Sequence, residues 1–199
     1  ATFHLPGSVA PPLVLIGPGT GVAPFIGFLS HRAALERERK MSGEDTCTGM
    51  WRGGYEFSGT CDIPCEGNMI DEFLQLVVPG NVHLYFGCRS EHDWIFRDVM
   101  EMRLQDGTLS VLETALSRIG PEKTYVTHRL KSRGEELADL ILNQNAYVYI
   151  CGDGCHMAKD VTRTIAEVLH EHGKLTPQEA EKLLDCMKQR RRFVLDIWS

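Results

Sequence analysis

A glycine-rich turn follows the first apolar run of the chain. The apolar residues PLVLI lead directly into a turn that contains Gly17, Gly19, Thr20 and Gly21. A strand that ends in glycines and opens a helix presents free backbone N–H groups and the positive end of a helix dipole, and both attract a phosphate or pyrophosphate. Glycine lets such an anion approach the backbone, and the hydroxyl of Thr20 adds a donor. A tight turn without a ligand shows the same pattern, so both interpretations stay open at this point.

The glycine spacing differs from that of two common nucleotide-binding loops. A P-loop needs lysine followed by serine or threonine, and no lysine follows this turn. The dinucleotide-binding fingerprint G-x-G-x-x-G is not met either, because Val-Ala-Pro follows the glycines at 17, 19 and 21. Pro24 suits the first turn of a helix, where its missing N–H leaves no hydrogen bond unmade. The turn is therefore of a different type from both loops.

A second group of polar residues lies at the end of the third apolar run. Its pattern, S-R-x4-K-x-Y, comprises Ser117, Arg118, Lys123 and Tyr125. Two cations and a hydroxyl could bind the 2′-phosphate of an adenosine, and the aromatic ring could stack on its base. An ordinary solvated loop is the alternative. The phosphate interpretation gains support because the glycine turn also lies at the carboxyl edge, where doubly wound sheets bind ligands.

A third group follows the fourth apolar run, in the order C-G-D-G-x2-M-x2-D. It comprises Cys151, Gly152, Asp153, Met157 and Asp160. A cysteine between a strand end and a helix N-terminus could form a reactive thiolate, because that position lowers the pKa of a thiol. Most such cysteines are small buried residues, and packing is therefore the first interpretation of Cys151.

The last apolar run, FVLDIW, covers residues 193–198. Because side chains alternate along a strand, Asp196 and Trp198 are expected on the same face. The indole is either a hydrophobic anchor or a flat plate that covers a flat cofactor.

Short apolar runs alternate with amphipathic stretches along the whole chain. Strands are predicted over residues 12–17, 82–87, 109–117, 146–152 and 193–198, and helices over residues 22–39, 92–105, 134–143, 154–172 and from 177 onward. Continuous apolar strands followed by helices are typical of a parallel sheet covered on both faces. The sequence therefore predicts an α/β fold, a doubly wound five-stranded parallel sheet with helices on both faces.

The composition is that of one ordinary globular domain. Of the 199 residues, 43% are hydrophobic and 24% are charged. The net charge of -6 argues against nucleic acid as a partner. Seven cysteines without a repeated spacing favour reduced thiols over a disulfide framework. The close cysteine pairs are of the type C-x3-C, which disfavours a zinc site.

Residues 41–81 interrupt the alternation with Gly-rich, Cys-containing sequence. This stretch is too long for an ordinary helix-to-strand loop, so we predict a surface insertion. The sequence shows neither a signal-peptide pattern nor an apolar run long enough to cross a bilayer. With reduced thiols, this favours a cytoplasmic location.

The sequence resembles the NADP(H)-binding domain of the diflavin reductases, the family of NADPH-cytochrome P450 reductase and methionine synthase reductase. The resemblance is carried, in order, by GPGTGVAPFIGF (17–28), YFGCR (85–89) with DWIFRDVM (93–100), SRIGPEKTYV (117–126), YICGD (149–153) with MAKDV (157–161), and VLDIWS (194–199). It covers nearly the whole chain apart from the predicted insertion. It implies a ferredoxin-NADP reductase-like fold in which residues 1–199 form one NADP(H)-binding domain.

The resemblance also implies which residues contact the nucleotide. The glycine turn and Thr20 hold the pyrophosphate of NADP(H). The 2′-phosphate and the adenine are held by Ser117, Arg118, Lys123 and Tyr125. The nucleotide groove is lined by Arg89, Gly152, Asp153, Met157 and Asp160. Thr127 stands where P450 reductases commonly have glutamine, so the chain departs from the family at one adenine or phosphate contact.

Three further residues are implied in hydride transfer. Cys151 and Asp196 match residues that sit by the nicotinamide, and Trp198 matches the aromatic residue that stacks on the flavin and moves aside for the nicotinamide. In the family, hydride passes from NADPH to FAD, and electrons then pass through FMN to an acceptor such as a cytochrome P450. The FAD- and FMN-binding domains are absent from these residues, so the chain is expected to bind NADP(H) but not to reduce an acceptor alone.

Two alternatives stay open beside the diflavin reductases. One is a fragment of a single-flavin ferredoxin-NADP reductase-like enzyme, and the other is a non-catalytic nucleotide-binding module. Trp198 and Ser199 favour the P450 reductase and methionine synthase reductase branch over relatives that end in tyrosine. For the parent protein, the resemblance implies a location in the cytoplasm, including the cytosolic face of the endoplasmic reticulum through an N-terminal anchor outside this chain.

Overall fold

Five parallel strands form one sheet in the part of the chain that the computed structural model describes, residues 3–41, 79–119, 122–153 and 156–198. The strands are β1 (Leu13–Ile16), β2 (Val82–Cys88), β3 (Val111–Leu116), β4 (Tyr147–Asp153) and β5 (Phe193–Trp198). Their order across the sheet is β3-β2-β1-β4-β5, and every neighbouring pair is parallel. The predicted doubly wound, five-stranded parallel sheet is confirmed.

Helices follow the strands along the described residues. They are α1 (Ala23–Met41), α2 (Arg97–Gln105), α3 (Val126–Ser132), α4 (Gly134–Leu142), α5 (Met157–Glu171) and α6 (Pro177–Gln189), with short 3-10 helices at Gly19–Val22 and Glu91–Asp93. At the start of α6, the hydroxyl of Thr176 accepts the N–H of Glu179, and the Glu179 carboxylate accepts the N–H of Thr176. This is the capping box that the sequence predicts.

Two helices begin later than predicted, and one was not predicted. α2 begins at Arg97 rather than at residue 92, because Phe96 has a φ of 56°, which an α-helix does not accommodate. α5 begins at Met157 rather than at residue 154. α3 has only 7 residues, too few to show a helical period in the sequence.

Alternate residues of β1 point to opposite faces of the sheet, and each face carries its own core. Leu13 and Leu15 pack with residues of α1 and α2, whereas Val14 and Ile16 pack with residues of α3 to α6. All four side chains are at most 2% exposed. A parallel sheet whose strands are apolar on both faces needs helices on both faces, as predicted.

The parallel register brings the carboxyl ends of the strands to one edge of the sheet. Ile16 lies beside Tyr85 on one side and Ile150 on the other, and Asp153 lies beside Trp198. The strand order reverses between β1 and β4, where strands β1 to β3 adjoin strands β4 and β5, and doubly wound sheets open a crevice at such a switch point. The segments that follow the strands therefore meet at this edge.

Most of the predicted insertion over residues 41–81, with Cys47, Cys61 and Cys65, lies outside the described residues, so it stays a prediction. Within the described residues, no three His, Cys, Asp or Glu side chains are grouped as metal ligands could be. No helix in that same part of the chain is both long and apolar enough to cross a membrane.

A charged network lies between the sheet and α4. The guanidinium of Arg133 lies 2.6 Å from the carboxylate of Glu136 and 3.2 Å from that of Glu113 in β3. His83 of β2 is 1% exposed, and its Nε2 lies 3.9 Å from Oε1 of Glu136. Burial lowers the pKa of His83; the Glu136 carboxylate opposes this effect and the Arg133 charge adds to it. The imidazole is therefore held in its neutral form.

Stability should fall as the pH drops below about 6.5, the ordinary pKa of an unfolded histidine. The folded pKa of His83 lies below the unfolded one, so between these values the unfolded chain binds the extra proton and the free energy of unfolding rises with pH. His83→Gln should flatten that slope, by at most about 1.4 kcal/mol per pH unit. Urea unfolding between about pH 5 and 8 measures it.

The high-pH end of the same series is the internal control. At about pH 8 the imidazole is neutral in both states, so the difference between His83→Gln and the unchanged protein reports packing alone. The same slope in both proteins would contradict the assignment to His83.

Candidate functional site

A cleft of about 770 Å³ opens along the carboxyl edge of the sheet. Its walls come from the segments that follow β1, β2, β3 and β4. Nine of the residues predicted to bind the nucleotide line it: Gly19, Thr20, Arg89, Ser117, Tyr125, Thr127, Asp153, Met157 and Asp160. The volume lies within the range of small-molecule and cofactor sites.

The glycine turn lies against the end of β4. A Cβ at Gly21 would collide with the carbonyl oxygen of Cys151, and a Cβ at Gly17 would lie 2.6 Å from the carbonyl oxygen of Gly21. Gly19 has a φ of 59°, in the left-handed region that favours glycine. Gly17 and Gly21 do not line the cleft; they allow the turn to pack closely against itself and against β4. Gly19 and Thr20 face the cleft.

Backbone hydrogen bonds beyond β3 fix the second predicted segment. The N–H of Ser117 donates to the carbonyl of Cys88, and the N–H of Arg118 donates to that of Arg89, both at 2.9 Å. Ser117 lines the cleft, whereas the side chains of Arg118 and Lys123 are exposed and lie outside its lining. Two exposed cations beside a cleft can turn toward an anion bound at its mouth.

Asp93 also lines the cleft, although the sequence patterns do not single it out. The hydroxyl of Ser90 donates to Oδ2 of Asp93 at 2.8 Å, and Nε of Arg89 lies 3.9 Å from the same oxygen. The Ser90 hydrogen bond lowers the pKa of Asp93, and the charges of Arg89 and Arg118 lower it further. The Asp93 carboxylate therefore lies near Arg89 and Arg118, two of the residues predicted to contact the nucleotide. The only signal in the sequence is that Asp93 follows Arg89 by four residues. The 3-10 helix at Glu91–Asp93 brings the two side chains close together.

Tyr125 and Thr127 lie at the start of α3, on the wall of the cleft. Tyr125 is 49% exposed, so its ring is accessible to a ligand. Thr127 is half-buried and lines the cleft with a side chain shorter than the glutamine common in P450 reductases. Any contact that it makes with a nucleotide must therefore be closer to the backbone of α3.

Cys151 is buried beside the last strand. It is 1% exposed, and its Sγ lies 3.9 Å from Oδ2 of Asp196, the residue directly opposite in the β4–β5 pairing. Burial, together with the Asp196 carboxylate, raises the pKa of the thiol to about 11. The thiol is therefore protonated near neutral pH, which favours the packing interpretation of Cys151 over the reactive thiolate. α5, the helix that follows β4 in the sequence, begins only at Met157, six residues after Cys151.

Trp198 lies opposite Asp153 in the β4–β5 register and is 48% exposed. It is outside the lining of the cleft, although Asp153 is part of that lining. Leu195 and Ile197 alternate with Asp196 and Trp198 along β5, and they line a separate groove beside α5 and α6. The indole is thus a neighbour of the cleft at its β4 end.

Gly152 links the thiol to the cleft wall. Its φ is 145°, and a Cβ there would lie 2.6 Å from Cε of Met157. Met157 and Asp160 on the first turns of α5 line the cleft. Asp160 accepts a hydrogen bond from the Arg163 guanidinium at 2.7 Å.

Comparison with known proteins identifies the family of this chain. The sequence matches the family described as oxidoreductase NAD-binding domain over residues 59–163, more than half of its length. The chain belongs to this family. The five-stranded parallel sheet with helices on both faces is the architecture that the resemblance to the ferredoxin-NADP reductase-like domain implies.

Curated relatives cover the whole chain. It is 32% identical to methionine synthase reductase of Rattus norvegicus over 206 residues, which are 100% of this chain and 24% of that protein. It is 33% identical to NADPH--cytochrome P450 reductase of Bos taurus over 198 residues, 99% of this chain and 24% of the relative. A nitric oxide synthase-like protein of Bombyx mori is 34% identical over 198 residues, 99% of this chain and 15% of the relative.

The chain thus spans about a quarter or less of the length of these relatives. It is an NAD-binding oxidoreductase domain homologous to the P450 reductase and methionine synthase reductase family, which confirms the resemblance.

Gly21→Ala should destabilise the protein by at least about 2 kcal/mol, because the new methyl group meets backbone atoms that have no room to move. Gly27→Ala is the matched control. Gly27 lies on the exposed side of α1 with open space around its Cβ position, so alanine there should stabilise by about 0.5 to 1 kcal/mol. Urea unfolding of the two variants measures both values, and effects of the same sign would contradict the packing described.

Alkylation should distinguish Cys151 from Cys186. Because its pKa is about 11 and it is 1% exposed, Cys151 should stay unmodified when the folded protein is treated with iodoacetamide near pH 8. Cys186 on α6 is more exposed and should be labelled faster. Peptide mapping by mass spectrometry gives both rates, and high urea should make Cys151 reactive. Rapid labelling of Cys151 in the folded protein would restore the thiolate interpretation.

Proposed function

We propose that the chain is the NADPH-binding module of a diflavin oxidoreductase and that it presents NADPH for hydride transfer to FAD. The observation that carries the proposal is a single cleft that gathers residues from four separate segments, all assigned to one nucleotide by the resemblance. One residue from each segment is Thr20, Arg89, Ser117 and Asp160. The family match and the two reductase relatives support the same conclusion.

The residues around the cleft suit the parts of NADP(H). The glycine turn leads into the 19 residues of α1, whose N-terminal N–H groups and dipole favour the pyrophosphate. Ser117, Arg118 and Lys123 supply a hydroxyl and two cations for the 2′-phosphate, and Tyr125 supplies a ring for the adenine. In a protein with a net charge of -6, such cations favour a phosphorylated ribose over an unphosphorylated one.

The nicotinamide is proposed to lie at the end of β4 and β5. Reduced nicotinamide supplies a hydride, so the residues around it must bind and orient the ring rather than exchange protons. Cys151 retains its proton beside Asp196, and this pair offers a neutral thiol and a carboxylate. Trp198 is exposed and offers a flat ring, which we propose covers the flavin and moves aside for the nicotinamide.

We propose that the electron-transfer steps after hydride transfer to FAD take place in a longer protein that contains this domain. Relatives that carry this domain are named NADPH--cytochrome P450 reductase and methionine synthase reductase. By analogy, we propose that FAD and FMN bound by other domains pass electrons to an acceptor protein such as a cytochrome P450. A cytoplasmic location, including the cytosolic face of the endoplasmic reticulum, belongs to the same proposal.

Arg118→Ala and Lys123→Ala should each weaken NADP+ binding about ten- to a hundredfold, because each removes a charge-assisted contact to the 2′-phosphate. The affinity for NAD+ should not change, since NAD+ lacks that phosphate. The measurement is isothermal titration calorimetry of the chain with NADP+, NAD+ and adenosine 2′,5′-bisphosphate. Arg190→Ala, which removes an exposed cation just before β5 at the opposite edge of the sheet, is the matched control and should leave all three affinities unchanged.

The unchanged protein supplies the decisive comparison. Equal affinities for NADP+ and NAD+ would overturn the preference for the 2′-phosphate, and binding of neither would overturn the nucleotide site itself.

A further inference from the structure

His128 packs against the ring of Tyr125. The ring centroids are 5.9 Å apart and the planes differ by 22°, so the two rings are stacked. Tyr125 lines the cleft and is 49% exposed, whereas His128 is outside the lining. The imidazole therefore covers one side of the tyrosine ring and leaves the cleft side open. Neither the sequence patterns nor the resemblance assigns His128 a role.

His128 also fixes the backbone of Tyr125. Tyr125 is the N-cap of α3, and His128 is the third residue of the helix. Nδ1 of the imidazole accepts the N–H of Tyr125 at 2.9 Å, and the N–H of His128 donates to the carbonyl of Tyr125 at 3.0 Å. In a capping box, glutamate or glutamine at this position makes the first of these bonds. The bond needs Nδ1 without a proton, so the neutral ring carries its proton on Nε2.

α3 is itself anchored to the sheet. Nε of Arg129 donates to the carbonyl of Thr114 in β3 at 2.8 Å. Val126 and Leu130 of α3 are at most 4% exposed and belong to the core on that face. β3 therefore holds α3 in place, and α3 holds the imidazole that packs against the Tyr125 ring.

We propose that His128 is a positioning residue for the base of the bound nucleotide. It acts through Tyr125: the imidazole holds the tyrosine ring in one orientation, and the adenine of a 2′-phosphorylated nucleotide stacks on the open face. This inference rests on the proposed function. A ring that is ordered before binding loses little rotational freedom when the base arrives, so binding is tighter than it is to a mobile ring.

Three substitutions separate the two contacts of His128. His128→Gln keeps an acceptor for the Tyr125 N–H and removes the stacked ring, whereas His128→Phe keeps a ring and removes the acceptor. Each should weaken binding of adenosine 2′,5′-bisphosphate about threefold, and His128→Ala, which removes both contacts, about tenfold. Calorimetry gives the affinities, and thermal unfolding checks that each variant is folded.

A double-mutant cycle with Tyr125→Leu tests whether His128 acts through the tyrosine. In that background the ring to be positioned is gone, so His128→Ala should cause no further loss of affinity. A residue that only maintains the fold would lower the affinity by the same factor in both backgrounds, and that result would overturn the inference.

The remaining outcomes separate this inference from the proposed function. If the unchanged protein binds the bisphosphate and the three His128 variants bind it equally well, the positioning role is wrong and the nucleotide site stands. If the unchanged protein does not bind the bisphosphate, both are wrong.

Discussion

The close contact between the turn after β1 and the end of β4 determines where the cleft can form. The two segments can meet only at a residue without a side chain, because a Cβ at Gly21 would collide with the carbonyl oxygen of Cys151. The contact sets the start of α1 beside the carboxyl end of the central strands and directs Thr20 into the cleft. Cys151 itself is 1% exposed, and burial together with the Asp196 carboxylate raises the pKa of its thiol. One backbone contact thus sets the proposed pyrophosphate site next to the strand that carries the buried thiol.

Two carboxylates that line the cleft lie beside arginines, in a protein whose net charge is -6. Asp93 lies near Arg89 and Arg118, and Asp160 is paired with Arg163 at 2.7 Å. Since these pairs are exposed to solvent, each is weak and can exchange its partner for a ligand. A phosphate dianion can compete with a single carboxylate for an arginine, whereas a ribose hydroxyl cannot do so to the same degree. The preference proposed for the 2′-phosphate follows from this competition.

The strands and the edge at which they end could be predicted because their signals are local. Each strand is a short run rich in apolar residues, and the glycine turn directly follows β1 in the sequence. α3 and the stacking of His128 on Tyr125 could not be predicted, because a short helix shows no full period and a histidine cap has no common sequence signature. Asp93 was missed because its position depends on a 3-10 helix. The place of Cys151 at a strand end was predicted, but its protonation depends on burial and on Asp196, which lies far away in the sequence.

The pairing of β1 with β4 also affects how the protein is made. Leu13 lies beside Tyr147, so the middle of the sheet joins residues that are far apart in the chain. Closing so long a loop costs conformational entropy before the contacts between the strands offset it, and such topologies fold slowly. A nucleotide can stabilise the finished domain by mass action, but it finds no complete cleft before β4 has joined β1. A chain emerging from a ribosome therefore holds β1 without its second neighbour until the whole of β4 has been synthesised.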